Sequence, residues 1–132
     1  MLIACSGPSI ADFYGVRLGM SPRDVRERFA AGAGTWTSEA TTDDYCVRWS
    51  PIAGHAAVAP ETVTFEFHTG ALVAVRSELS TSSSFASGPA LIVTGSGVLR
   101  RVRTGTHVHM DLLARDCPTH AAEAAALAAA AP

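Results

Sequence analysis

Lysine is missing from this chain. All ten basic residues are arginine. Together with the abundance of alanine, that bias looks like the codon usage of a GC-rich bacterial genome, and it carries no mechanism. Charge is scarce, at 17% of residues, and nearly balanced, with a formal net charge of −2. A nucleic-acid partner is therefore not expected, because a polyanion calls for a strong basic excess. No apolar run approaches the roughly 20 residues that a membrane-spanning helix needs. The tail "AAEAAALAAAAP" is alanine-rich but far less apolar than a Leu/Ile span. Phosphate-loop and catalytic signatures are missing too. The "GSG" at 95–97 is followed by neither a lysine nor a helix, and Ser82–Ser84 have no base partner at a readable spacing. What is present is apolar. Hydrophobic residues make up 48% of 132. That excludes wholesale disorder and allows one domain with a real core.

Residues 1–14 read as a flexible leader, broken by Gly7, Pro8 and Ser9, and residues 15–132 as a single domain. The clearest element follows in "GVRLGMSPRDVRERF". Ser21 is a good N-cap, Pro22 suits the first helical position, and Asp24 completes a capping-box-like start that complements the helix dipole. Val25 and Phe29, spaced i, i+4, share a face. Gly32 and Gly34 stop the helix, giving about 21–31.

The rest alternates like strands. In "YCVRW", Tyr45, Val47 and Trp49 share a face and Cys46 points the other way. "TVTFEFHTGALVAVRSEL" is a hairpin turned at Thr69-Gly70, with Val63, Phe65 and Phe67 on one side and Thr64, Glu66 and His68 on the other. "ALIVT", "VLRRVR" and "HVHMDLL" follow. In the last, Val108, Met110 and Leu112 oppose His107, His109 and Asp111. A C-terminal helix, about 118–129, opens after Pro118 and has its apolar contact at Leu127. Consecutive strands with short links predict an antiparallel sheet of about five or six strands, with the helices covering one face. The fold class is α+β.

The N-terminus "MLIACSGPS" contains Leu2-Ile3-Ala4-Cys5, which resembles a bacterial lipobox, where the cysteine becomes the lipidated first residue. Ser6 is not the aspartate that would favour inner-membrane retention in that resemblance. The charged n-region and the apolar h-region of about 7–15 residues that should come first do not precede it. Two readings stand: a signal segment lies ahead of this start, or this is a frayed apolar end. If Cys5 carries lipid, Cys46 and Cys117 remain as a pair, which suits an oxidising periplasm. Their disulfide would close a loop of about 70 residues and stabilise by roughly 4 kcal/mol in the chain-entropy model. In a cytosolic chain, three unrelated thiols need no pairing.

The opening "GVRLGMSPRDV" is similar to the recurrent entrance of small bacterial envelope domains. These are the SmpA/OmlA lipoproteins (the BamE-like family) and the related β-lactamase-inhibitor-like domains. "VTFEFHTGALVAV" looks like the V-x-F-x-F…G-x-L-V hairpin typical of them further along. The resemblance covers about Gly15–Phe29 and Val63–Val75. It implies a first helix on a small antiparallel sheet. It also implies a non-enzymatic lipoprotein that binds another envelope protein in outer-membrane maintenance, with no cofactor and with no membrane contact beyond a lipid on Cys5. In those families a second helix comes soon after the first; here only "AAGAGTWTSEA" stands in its place, and it is a poor helix.

Other side chains hold candidate chemistry. His107, His109 and Asp111 project from one strand face, and neutral imidazoles with a carboxylate can ligate zinc, His68 being a candidate further ligand. A solvated strand face collects the same residues. In "DCPTH", Cys117 sits at a helix start with His120 three residues on, a setting that lowers a thiol pKa; a paired or buried thiol is the blander reading. Arg100, Arg101 and Arg103 form a basic patch able to meet phosphate or anionic lipid, or simply a solvated face. The leading expectation is a periplasmic, non-enzymatic scaffold. Trp36 and the 80–89 loop are expected to contact its partner, and no metal or catalytic residues are assigned. The alternative is a small metal-binding protein or thiol enzyme using His107, His109 and Cys117. A cytosolic interaction domain with free thiols is the third.

Overall fold

The computed structural model describes residues 13–29, 34–40, 44–51, 62–81, 86–94, 97–115 and 121–129. The domain takes in residues ahead of the leader boundary that the sequence suggested. Phe13 pairs with Val16 across a tight turn in which Tyr14 and Gly15 both take positive φ. Phe13 is only 2% exposed. An apolar residue this deep belongs to the core, so Phe13 and Tyr14 join the domain. The next stretch is stitched to the sheet through its backbone: Gly19 N–H donates to Leu72 C=O and Leu72 N–H to Met20 C=O, both at 2.8 Å.

Helix α1 runs Pro22–Arg28, with the Ser21 hydroxyl accepting from Asp24 N–H at 3.1 Å and Pro22 in the first turn. The cap chemistry is as the sequence predicts. The helix is shorter than expected. It ends at a cap on Phe29, whose backbone is extended, because Phe29 turns its ring into the core rather than continuing the helix. Val25 is fully buried and Phe29 packs against the same cluster.

Seven strands follow: β1 Gly34–Ala40, β2 Asp44–Pro51, β3 Thr62–His68, β4 Ala71–Ser80, β5 Leu91–Val93, β6 Gly97–Thr104 and β7 His107–Ala114. Helix α2, Ala121–Ala129, is the last described element. The strands form one sheet in the order β1-β2-β3-β4-β7-β6-β5, every neighbouring pair antiparallel. The α+β class is as expected, with one strand more than the five or six foreseen. The extra strand is β1, which replaces the failed helix. Thr35, Trp36 and Thr37 are good strand formers, but Trp36 alone faces the core among large apolar residues, so no alternation announces the strand.

The β3–β4 hairpin turns at Thr69 and Gly70, φ 49° and 83°, the left-handed pair that a two-residue turn requires. A bulge at the start of β4 sets Phe67 opposite Leu72 and Glu66 opposite Ala74, leaving Val73 as the extra residue. It brings Leu72 through Val75 into a continuous buried run, as a bulge can by re-aiming successive side chains.

The two faces are covered by different helices, not one face by both. On the α1 face, Val47, Trp49, Val63, Phe65, Phe67, Val75, Leu79, Leu99, Val108, Met110 and Leu112 are buried with Val25. On the opposite face a smaller cluster of Ala74, Val98 and Leu113 receives Ala124 of α2, with Leu91 and Leu127 at its margin. The consecutive apolar pairs Val98-Leu99 and Leu112-Leu113 are the cause. Strands buried on both sides lose their alternation.

Candidate functional site

The face that carries α2 also carries a network of charged side chains. Asp111, in the middle of β7, is 0% exposed. A carboxylate so deep must be met by donors, and three groups meet it. Arg100 Nη2 on β6 donates to Oδ2 at 2.8 Å, Arg76 Nη1 on β4 donates to Oδ1 at 3.2 Å, and His109 Nε2 lies 3.0 Å from Oδ1. Strand register explains the convergence: Asp111 is the cross-strand partner of both Arg76 and Arg100. Arg76 continues the network. Its Nε donates to Glu66 on β3 at 2.8 Å, and Nη1 and Nη2 grip both oxygens of Glu123 on α2 at 3.1 and 2.9 Å. That fork geometry is what holds a carboxylate in one orientation. His109 Nδ1 lies 2.7 Å from Glu78 Oε1. Arg100 Nε is buried and makes no hydrogen bond.

The electrostatics follow from this geometry. Burial works against the Asp111 carboxylate, but the Arg100 hydrogen bond and the charges of His109 and Arg76 outweigh it and hold its pKa below the ordinary value. Burial also works against a charged His109, and here the Glu78 hydrogen bond and Asp111 prevail and raise it. Arg76 is held protonated first by its hydrogen bond to Glu123 and, against its own burial, by Glu66. The network is thus satisfied from within except at Arg100 Nε. It ties four strands of the sheet's centre to the only helix on that face, among the described residues.

The face that the alternative reading offers to a metal is real as a face but is otherwise engaged. His109 and Asp111 bond to each other, and both His109 nitrogens lie against carboxylates. His107 Nδ1 is 3.2 Å from Thr106 Oγ1. His68 sits opposite Ala71 whereas His109 sits opposite Glu78, roughly 20 Å apart along β4 at strand rise. Among the described residues no three His, Cys, Asp or Glu side chains are grouped so that they could hold a metal ion. Cys46 is half-buried on β2, facing the α2 side as its alternation with Val47 implies. Cys5, Cys117 and His120 lie outside the described residues. Trp36 is not a projecting anchor. It is half-buried between Phe29 and Phe65, with centroids at 5.8 and 5.9 Å, and the Arg26 guanidinium lies 5.8 Å from its ring. In the 80–89 loop, Ala86 is buried and residues 87–89 are exposed.

Arg100, Arg101 and Arg103 do not act as one patch. Strand alternation sends Arg100 to Asp111 and turns Arg101 and Arg103 to the other face. There they line a cleft with Ala86, Ser87, Gly88, Ala90 and Val108. The sequence reading missed Arg76, Glu66, Glu78 and Glu123 as a group. The signal for Glu66, Arg76 and Glu78 was charge in mid-strand on the face opposite Val63, Phe65 and Phe67; Glu123 lies on α2.

A second opening lies on the α2 face beyond the helix. It is a groove of about 220 Å³ lined by Thr37, Ser38, Cys46, Arg48 and Thr64, across β1, β2 and β3. No described helix is long and apolar enough to cross a membrane. No family model, curated protein or solved structure matches the chain.

Proposed function

We propose that this chain is a non-enzymatic binding or scaffold module of the bacterial cell envelope, of the SmpA/OmlA-like kind. In this reading it faces the periplasm, is anchored by lipid on Cys5, and contacts another envelope protein in outer-membrane maintenance. The observation that carries the binding role is the half of the sheet that no described helix covers. Helix α2 sits over β4, β7 and β6, while β1 to β3 keep a polar groove along their outer face. Among the described strands β1 pairs with β2 alone. Its other edge offers alternating N–H and C=O groups to an extended partner segment, the β-augmentation mode, and Thr37 and Arg48 beside it supply specificity. The central charge network supports a structural rather than catalytic role, since its carboxylates, guanidiniums and His109 engage one another and fix α2. A Cys46–Cys117 disulfide fits this reading. Cys46 faces the side on which α2 docks, and Cys117 precedes α2 in the chain.

The test is a photocrosslinking amino acid placed at Thr37 on β1 and, separately, at exposed Thr104 at the far end of β6. The expected result is fractionation with the envelope and one protein adduct from Thr37, absent from Thr104. Recovery in the cytosol, or equal labelling from both positions, overturns the reading. Thiol counting on the denatured, unreduced protein checks the pairing: a linked Cys46–Cys117 peptide is expected, and three free thiols overturn it.

A further inference from the structure

One row of cross-strand partners runs the full width of the sheet. Register sets Thr37 opposite Arg48, Arg48 opposite Thr64, Thr64 opposite Arg76, Arg76 opposite Asp111, Asp111 opposite Arg100 and Arg100 opposite Leu91. Directly opposed residues share a face, so the whole row lies on the α2 side. Its charges are served unevenly. Arg76 and Arg100 stand on the two flanks of Asp111, and both bond to it. Arg48 is exposed. It has the short hydroxyl side chains of Thr37 and Thr64 on its two flanks, and it meets no carboxylate among the described residues. The groove around it is lined by Thr37, Ser38, Cys46, Arg48 and Thr64. None of these described lining residues is acidic.

The row ends at β1, which pairs with β2 alone among the described strands. A segment added along the other edge of β1 extends the row by one place. The residue that it sets opposite Thr37 projects on the α2 side, in line with Arg48. At the backbone the two are separated by two strand spacings, about 10 Å. An arginine and a glutamate cover that span between them, because Thr37 is short enough for the side chains to meet over it. A lysine or arginine at the added place would set like charge towards Arg48 and be disfavoured. A carboxylate would complete at this end of the row what Asp111 supplies at its centre.

We propose, on the premise of the edge pairing above, that the partner segment is acidic: it lies extended along β1 and sets an aspartate or glutamate opposite Thr37, where Arg48 binds the carboxylate. The guanidinium fork fits both carboxylate oxygens. Main-chain pairing supplies the affinity in this mode, and the side-chain contact supplies the choice of partner. Salt-bridge strength at an exposed site is modest, so Arg48 selects the segment more than it holds it.

Panning a displayed library of random heptapeptides on the whole chain, and separately on Arg48→Glu, tests the charge. Arg48 is exposed, and thermal unfolding checks that each variant keeps the fold. The parent should enrich extended segments that carry Asp or Glu, and Arg48→Glu should enrich segments that carry Lys or Arg instead. The leading parent peptide, remade with the amide in place of its acidic residue, should bind the parent about fivefold more weakly. Acid and amide forms should bind Arg48→Gln equally, and Arg23→Gln on α1 should behave as the parent. Enriched peptides without an acidic bias, or the same bias on Arg48→Glu, overturn the acidic partner. Methylating the peptide's backbone nitrogens, in either of the two alternating sets, isolates the premise. Loss of binding with one set is expected. Binding untouched by both sets overturns the edge pairing itself, as does a library with no enriched peptide. Loss on methylation without an acidic preference leaves the edge pairing standing and overturns only the charge of the partner. A concentration-dependent dimer in sedimentation, dissolved by Arg48→Glu, gives the edge to a second copy of this chain and overturns the proposal.

Discussion

The two faces of this sheet are held to their helices by opposite means. On the α1 side the contact is aromatic. Phe29 reaches Trp49, Phe65, Trp36 and Tyr14 with ring centroids 5.0, 5.2, 5.8 and 5.8 Å away, all edge-on. That arrangement is favoured by ring quadrupoles and adds to burial. On the α2 side the apolar contact is small, little more than Ala124 against Ala74, Val98 and Leu113, and orientation comes from Arg76 gripping Glu123. Size fixes one helix and charge the other. The lesson is that the same sheet can carry a face insensitive to pH and salt and a face sensitive to both. Burial of rings depends on neither, while ion pairs depend on protonation and screening.

The comparison breaks most visibly on the aromatic side. Phe65→Ala removes a ring that is 0% exposed and that touches both Phe29 and Trp36. The expected cost is about 3–5 kcal/mol, from lost transfer and the cavity left behind. Urea denaturation should show it equally at low and high salt. A loss that shrinks with salt would mean that the α1 face is not the salt-independent one.

Much of that side was legible in the sequence. Ser21, Pro22 and Asp24 announce α1 through local capping chemistry, and Val63, Phe65 and Phe67 announce the core through strict alternation. Both signals are local, and both elements formed there, with α1 ending early at Arg28. The other side was not legible, for reasons equally physical. Asp111 reads as a solvated strand residue until the register sets Arg76 on one flank and Arg100 on the other. That register depends on β7 inserting next to β4 while β5 goes to the far edge, a long-range choice that no short stretch encodes. β1 was hidden because its inward side carries only Trp36 among large apolar residues. The three clustered arginines, Arg100, Arg101 and Arg103, looked like one patch because a sequence does not show which alternate residue meets a carboxylate. Here Arg100 meets Asp111, and Arg101 with Arg103 line a cleft.

On the charged side the largest effect should come from Asp111→Ala. The carboxylate is 1% exposed while Arg76 and Arg100 are 28% and 38% exposed at their side chains. Removing one member of a buried ion network leaves the others uncompensated, and the cost is about 3 kcal/mol. Replacing Asp111 and Arg100 together by leucine and methionine should recover much of that loss, because an apolar substitute can match a buried pair. Equal destabilisation by the single and double variants would show that the network contributes more than mutual neutralisation. Hydrogen exchange on α2 amides is the companion measurement. Protection there should fall in Asp111→Ala and stay unchanged at the permissive site Arg23→Gln.

The smallest effect is a slope with pH. His109 is raised above its ordinary 6.5 by Glu78 and Asp111, and Asp111 is lowered below its ordinary 3.8. A raised histidine contributes stability that is complete below its unfolded value and is lost as pH climbs through the folded one. A lowered aspartate contributes above its unfolded value and loses that contribution as pH falls through the folded one. The charged face should therefore be firmest between those two ordinary values and should weaken through neutral into mildly alkaline pH as His109 loses its proton. His109→Gln keeps a hydrogen-bonding side chain between the two carboxylates but cannot titrate. Thermal unfolding followed across that range should fall with rising pH in the parent chain and stay flatter in His109→Gln, with Phe65→Ala showing the parent's slope from a lower start. If His109→Gln keeps the full parental slope, the pH dependence belongs to groups outside this face, and the contrast between the two sides of the sheet loses its electrostatic half.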